Sequence, residues 1–176
     1  MEISKILETY SLNKSTYLNL RWIGIIGQFI TINTVKFILN FEFNYLAANL
    51  IIFVGAISNI YLFYYYNKIQ LSNRSAFNFL LIDIIQLSSL LYLTGGVLNP
   101  FSIFLLIPSV FASSNLKIKT NLLLIFVTLI SIIFLTFFSL DLPKPLSEHF
   151  HVSPYYYYAI PTGLIIALIF LNYFAL

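Results

Sequence analysis

The middle of the chain is interrupted by the stretch Gly95-Gly96-Val97-Leu98-Asn99-Pro100-Phe101, a Gly-Gly turn followed by an Asn-Pro-Phe step. Strongly apolar sequence flanks this stretch on both sides. Hydrocarbon contains no water to pair with backbone N–H and C=O groups, so a broken backbone cannot lie exposed to lipid. We therefore expect residues 95–101 to lie at a membrane interface or to line a protected pocket.

The composition of the flanking sequence is that of an integral membrane protein. Of the 176 residues, 60% are hydrophobic and 9% are charged, whereas a soluble domain carries about 25% charged residues. The chain contains no cysteine, which excludes disulfides and thiol redox chemistry within it. The net charge of +3 comes from scattered basic residues near the ends of apolar stretches, so we expect no nucleic-acid binding.

Apolar stretches long enough to cross a bilayer recur along the chain. A helix needs about 20 apolar residues to cross a hydrocarbon core of about 30 Å. The six predicted spans are residues 22–39, 45–66, 76–94, 101–116, 121–140 and 155–176. The fourth span is short and contains Pro108, which predicts a kink. The predicted fold is an all-α membrane protein, a bundle of six transmembrane helices.

The distribution of Lys and Arg predicts the orientation of this bundle. If six helices alternate in direction, seven basic residues fall on one side: Lys5, Lys14, Arg21, Lys68, Arg74, Lys117 and Lys119. Lys36 and Lys144 fall on the other side. Both termini are therefore expected in the cytoplasm, with residues 95–101 and the loop 141–154 facing outward.

The end of the chain suggests a part of a longer protein. The sequence is still apolar at Leu176, where a membrane protein usually continues into a basic cytoplasmic flank. We interpret residues 1–176 as a transmembrane domain and expect a cytoplasmic domain beyond residue 176. The alternative is a protein that ends at the membrane face.

Asp83 lies near the middle of the third predicted span. A carboxylate at that depth normally faces the interior of the bundle and marks a function. Steps of three or four residues place Asp83, Gln86, Leu90 and Thr94 on one helix face that leads to Gly95. This polar stripe suits a path for a headgroup or a proton. The alternative is that Asp83 holds neighbouring helices together.

Three other polar residues fall in the first predicted span. Lys36 is near its outer end, where its side chain is expected to extend to the interface. Pairing of Lys36 with Asp83 is a second interpretation. Gln28 and Asn33 are expected to form hydrogen bonds with neighbouring helices.

The predicted outer loop contains four residues that can bind metals or titrate: Asp141, Glu148, His149 and His151. A His-x-His pair with nearby carboxylates can bind a metal weakly or respond to external pH. Its spacing is not a recognised ligand signature, so we assign no metal site. The sequence contains no phosphate-binding loop, nucleophile elbow or metalloprotease motif, and no catalytic residue is predicted.

The residue types within 95–101 suit a flat ring with two oxygens, such as a quinone headgroup. Gly95 and Gly96 permit positive φ and close approach of a ring. Asn99 supplies a donor and an acceptor, Pro100 fixes the start of the next helix, and Phe101 offers a stacking face. These five residues form the candidate quinone site. The alternative is a plain helix C-cap followed by a new helix start.

The same stretch matches the Gly-Gly-x-x-Asn-Pro-Phe heptad of RegB/PrrB-type redox sensor histidine kinases. The resemblance extends to residues 83–94 before the heptad, 105–113 after it and 20–28 in the first span. In that family the membrane domain binds ubiquinone at the heptad. The cytoplasmic part autophosphorylates on a histidine, and a response regulator takes the phosphoryl group.

The resemblance implies a homodimeric sensor of the redox state of the quinone pool in the bacterial inner membrane. The catalytic boxes and the redox-active cysteine of the family would lie beyond Leu176. A small multi-span transporter or channel that uses Asp83 and Lys36 is the main alternative, and a structural membrane subunit is the third. Paired broken helices in an inverted repeat would favour a transporter, and the sequence shows no such pair.

Overall fold

The computed structural model describes residues 12–66, 69–145 and 153–175. In these residues the chain forms six α-helices: α1 Lys14–Phe37, α2 Tyr45–Tyr65, α3 Asn73–Leu93, α4 Ile107–Asn115, α5 Ile118–Phe138 and α6 Tyr156–Ala175. Two 3-10 helices, Gly96–Leu98 and Pro100–Leu106, connect α3 to α4. There are also four two-residue strands: β1 Leu12–Asn13, β2 Phe41–Glu42, β3 Gln70–Leu71 and β4 Lys144–Pro145. The chain is an all-α membrane protein.

Four of the helices are long and apolar enough to cross a membrane, namely α2, α3, α5 and α6, with mean hydropathy between 1.7 and 2.6. Residues 100–115 form a shorter apolar helix. Large apolar side chains are exposed around the bundle, for example Ile23, Phe53 and Phe126. Such exposure would be costly in water and is expected where lipid is the solvent.

The first helix begins earlier than the sequence predicts, at Lys14 instead of residue 22. The Asn13 side chain accepts hydrogen bonds from the backbone N–H of Ser15 and of Thr16, which caps the helix in the usual way for asparagine. Hydropathy could not find this start because the first two turns are polar. The fourth predicted span begins as a 3-10 helix and becomes α-helical at Ile107, next to Pro108.

The helix ends meet at two opposite faces of the bundle. On one, called here the basic face, β1 pairs with β3, and Asn73 at the start of α3 accepts from Lys117 N at 2.9 Å. Ser113 near the end of α4 donates to Asn172 near the end of α6 on the same face. On the other, called here the turn face, β2 pairs with β4 beside residues 95–101.

The described core has a large cluster and a small one. The large cluster fills the space among α3, α4, α5 and α6, and Leu12 and Leu71 of the β1–β3 pair close it at the basic face. The small cluster joins α1 and α2 to α3 through Leu90. The first two helices also reach the large cluster, through Tyr17 and Leu18 of α1 and Leu62 of α2, and the Tyr17 ring stacks on Phe111 of α4.

Candidate functional site

Residues 95–101 form a tight turn at the end of α3. Gly95 has φ +102° and Gly96 has φ +59°, both in the left-handed region. Glycine reaches this region at no steric cost, whereas other residues pay for the approach of Cβ to the backbone. Both glycines thus adopt the positive φ that their residue type permits.

The backbone of the two glycines is covered by other parts of the protein. A Cβ atom placed on Gly95 would lie 2.5 Å from Leu142 Cδ1 and 2.9 Å from Leu142 Cα. A Cβ atom on Gly96 would lie 2.5 Å from the carbonyl oxygen of Leu135. The end of α5 and the segment after it therefore make the close approach that the glycines allow. Gly95 and Gly96 are both buried, and the space against their backbone is called here the glycine recess.

Asn99 holds the turn together. Its Nδ2 group donates to the backbone oxygen of Thr94 at 2.9 Å and to Thr94 Oγ1 at 2.8 Å. Its Oδ1 accepts from the N–H of Phe101 at 2.9 Å, which caps the 3-10 helix that starts at Pro100. Both amide hydrogens are thus engaged within the turn, and Oδ1 keeps the capacity to accept one more hydrogen bond.

Pro100 and Phe101 are the exposed part of the candidate quinone site. The Phe101 side chain is 43% exposed, and its ring centroid lies 5.8 Å from that of Phe104. Phe104 in turn lines an open, almost wholly apolar cleft of ≈ 400 Å³ between α4 and α6, whose far wall is Leu171. A flat ring at Phe101 and an apolar tail in this cleft would lie side by side.

Asp83 forms a buried ion pair with Arg21. Arg21 Nε lies 2.8 Å from Asp83 Oδ1, and the two side chains are 4% and 16% exposed. The hydroxyl of Tyr17 donates to Asp83 Oδ2. Arg21 also donates to Asn59 Oδ1 at 3.3 Å and to Ser58 Oγ at 3.2 Å. One network therefore joins α1, α2 and α3, which favours the alternative that Asp83 holds helices together.

Two sequence-based interpretations are wrong at this network. Arg21 is a buried partner of Asp83 rather than an interfacial flank. Lys36 does not pair with Asp83, and its Nζ lies 5.6 Å from the ring centroid of Tyr45. Because α1 begins at Lys14, Arg21 lies two turns inside the helix, four residues from Tyr17. The i, i+4 spacing of Tyr17 and Arg21 could have indicated two polar groups on one helix face. The sequence analysis missed it because it placed both residues before the start of the helix.

The residues of the predicted polar stripe contact different neighbours and do not form one continuous polar path. Gln86 Nε2 donates to Gln28 Oε1 at 3.0 Å, and Gln86 lies against Gly55 of α2. Leu90 packs in the small apolar cluster. Thr94 Oγ1 donates to the backbone oxygen of Leu90 at 2.9 Å and belongs to the turn. Asp83 and Gln86 therefore bond towards α1, while an apolar residue separates them from the turn.

Gln28 and Asn33 both bond to neighbouring helices, as predicted. Gln28 accepts from Gln86 of α3, and Asn33 Nδ2 donates to Asn49 Oδ1 of α2 at 3.1 Å. Such contacts are the usual means by which polar side chains join helices in lipid.

Of the four candidate metal and pH groups, one lies within the described residues. Glu148, His149 and His151 lie outside the described residues, and Asp141 is exposed. Among the residues described, no group of three or more His, Cys, Asp or Glu side chains could hold a metal ion.

A second buried polar cluster, which the sequence analysis missed, joins α4, α5 and α6 near the basic face. Ser113 Oγ donates to Asn172 Oδ1 at 3.0 Å and accepts from Asn121 Nδ2 at 2.8 Å. Asn172 Nδ2 also bonds to Ser109 Oγ at 3.4 Å and to Leu168 O at 2.9 Å. The last helix is thus fixed to its neighbours close to its C-terminal end.

Comparison with known proteins bears on nearly the whole chain, the turn included. The chain resembles the membrane region of a RegB-like sensor kinase. It is 26% identical over 161 residues to the sensor histidine kinase RegB of Cereibacter sphaeroides. The alignment covers 91% of this chain and 35% of that protein, so the chain spans about a third of the relative's length. No family model matches the chain, and no solved structure matches it.

Proposed function

We propose that this chain is the membrane sensor domain of a two-component sensor histidine kinase and that it binds a membrane quinone, such as ubiquinone, at residues 95–101. The observation that carries the proposal is the alignment with RegB along 91% of the chain. The alignment includes the Gly-Gly/Asn-Pro-Phe turn. Phe101 of this turn contacts Phe104, which lines the open apolar cleft between α4 and α6. The proposal also includes a kinase module and a response-regulator partner for the whole protein.

The proposed mechanism depends on the different hydrogen bonding of the two redox forms. The oxygens of an oxidised quinone only accept hydrogen bonds, whereas the hydroxyls of the reduced form also donate them. A site that binds the two forms unequally shifts the bundle between two states by the difference in affinity. The turn packs against α5 and α6, and α6 runs from the turn face to the basic face. A change at the turn therefore has a direct route to the end of the domain.

The topology that belongs to this proposal has six spans, both termini in the cytoplasm and the turn face outside, in a homodimer in the bacterial inner membrane. Reporter proteins fused after Leu39 and Val97 are expected to lie outside the cytoplasm, and reporters fused after Asn73 and Lys119 are expected to lie inside it. The reason is the excess of Lys and Arg on the basic face. Phosphatase and fluorescent-protein activities of the fusions measure the location. A cytoplasmic position for Val97 would contradict both the topology and the sensor proposal.

Phe101 offers the sharpest test of quinone binding because its ring is exposed, while its part in the turn is a backbone N–H that donates to Asn99 and survives substitution. Phe101→Ala is expected to weaken binding by roughly 2- to 13-fold, the equivalent of about 0.5–1.5 kcal/mol of aromatic contact. The measurement is saturable binding of a short-tailed ubiquinone to the purified protein in lipid nanodiscs. Phe126→Ala, at an exposed phenylalanine of α5 that is 58% accessible, is the matched control and should bind as wild type. Equal affinity of both variants would contradict a headgroup site at Phe101.

A further inference from the structure

Other parts of the protein already fill the glycine recess in this structure: Leu142 lies against Gly95, and Leu135 and Ser139 lie against Gly96. Leu142 lies so close to Gly95 that a single added carbon would overlap both its Cδ1 and its Cα atoms. This is the space that a flat ring would need in order to lie against the glycine backbone. The recess is therefore closed at Gly95 by Leu142 of the connection between α5 and α6, through its Cα and Cβ atoms as well as its Cδ1 atom.

The closing segment, residues 139–145, is called the strap from here on. It leaves α5 after Phe138, and the N–H of Leu140 donates to the backbone oxygen of Tyr92 at 2.9 Å. At its other end β4 pairs with β2, in the connection between α1 and α2. Leu142 lies between these two attachments, in a stretch without regular secondary structure.

We propose that Leu142 controls access to the glycine recess and that a quinone ring binds there by displacing it. This inference rests on the proposed function, since it concerns the same site. Other groups against the glycines are less able to move, because Leu135 and its carbonyl oxygen belong to α5 and Ser139 follows that helix directly. Leu142 lies in an irregular stretch of the strap, so it can move without unwinding a helix. Its displacement would also act on β4, and through the β2–β4 pair on the connection between α1 and α2.

Shortening Leu142 tests this inference through affinity. Leu142→Ala keeps Cα and Cβ against Gly95 but removes the Cδ1 contact, which weakens the packing that holds the strap closed. We expect this variant to bind short-tailed ubiquinone about three- to tenfold more tightly, because a ligand that must first open a closed site gains affinity as the open fraction rises. Leu140→Ala is the matched control: it lies on the same strap and its side chain is 47% exposed. Its contact with Tyr92 is made by the backbone and survives the substitution. It should bind as wild type.

A second measurement follows the movement of the strap itself. The chain has no cysteine, so Leu142→Cys places a single thiol on the recess and Leu140→Cys a single thiol outside it. Saturating short-tailed ubiquinone is expected to speed the reaction of the Leu142→Cys thiol with a water-soluble maleimide at least threefold. The Leu140→Cys thiol should react at the same rate with and without quinone.

The outcomes separate this inference from the proposed function. Absence of saturable quinone binding to the wild-type protein would overturn both. Binding to wild type with unchanged affinity in Leu142→Ala and unchanged labelling of Leu142→Cys would overturn only the role of Leu142. Weaker binding to Leu142→Ala, with quinone protecting the Leu142→Cys thiol, would make Leu142 a fixed wall of the site and overturn its displacement.

Discussion

Arg21→Leu is expected to lower the stability of the bundle by about 3–5 kcal/mol, the usual cost of breaking a buried ion pair by removing one partner. The substitution leaves the Asp83 carboxylate with the Tyr17 hydroxyl alone, and it removes the donors that Arg21 gives to Asn59 and Ser58. Hydrocarbon and packed helices offer no water to replace them. The measurement is the free energy of unfolding of the purified protein in mixed micelles or bicelles.

Two controls separate the ion pair from the general effect of removing a cation. Lys36→Leu removes another basic residue of α1, one that has an aromatic ring as its neighbour, and should cost at most about 1 kcal/mol. The double variant Arg21→Leu/Asp83→Leu should recover most of the loss, because no unpaired charge remains. If Arg21→Leu cost no more than Lys36→Leu, the pair would have no part in joining the helices.

Gly96→Ala is expected to destabilise the protein by roughly 2–5 kcal/mol, through left-handed backbone strain and overlap with packed atoms. At this position φ is +59°, and the new Cβ would meet the carbonyl oxygen of Leu135 at 2.5 Å. Backbone atoms of a helix cannot move aside as the end of a flexible side chain can. Unfolding in the same micelle system measures the effect.

Gly24→Ala is the matched control, because no atom lies within 4 Å of a Cβ at Gly24. There the same substitution lies inside α1, where alanine is favoured over glycine by about 0.5–1 kcal/mol. A glycine of the turn and a glycine of the helix should therefore respond with opposite signs. A small effect of Gly96→Ala would mean that the end of α5 does not close on the turn as described.

Local sequence signals predicted the positions of most helices well, but they predicted the side-chain contacts between helices poorly. Hydropathy placed α2, α3, α5 and α6 within a few residues, because each helix is apolar nearly from end to end. It missed the start of α1, which depends on a hydrogen-bonded cap at Asn13 rather than on apolar residues. The pairing of Arg21 with Asp83 depends on where α1 begins and on the packing of α1 near α3. No local sequence pattern specifies that packing.

The candidate site divides in the same way. The positive φ values of Gly95 and Gly96 follow from residue type and were predictable. What fills the recess beside them was not, since Leu142 and Ser139 come from a distant connection whose course depends on the whole bundle. The internal bonds of Asn99 were also hidden, because an asparagine before proline suits a ligand and a cap equally well. Quinone binding itself stays a prediction.

The hydrogen bonds that hold Asn172 restrict the kinds of motion that α6 can transmit. A piston movement of one residue along the helix axis shifts every side chain by about 1.5 Å. That shift would break the bonds from Asn172 to Ser113 and Ser109 in a buried place with no water to replace them. Tilting about Asn172 leaves these bonds near their present lengths while it moves the helix end at the turn face. In the proposed sensor, the cluster would therefore act as a pivot and would favour tilting of α6 over sliding along its axis.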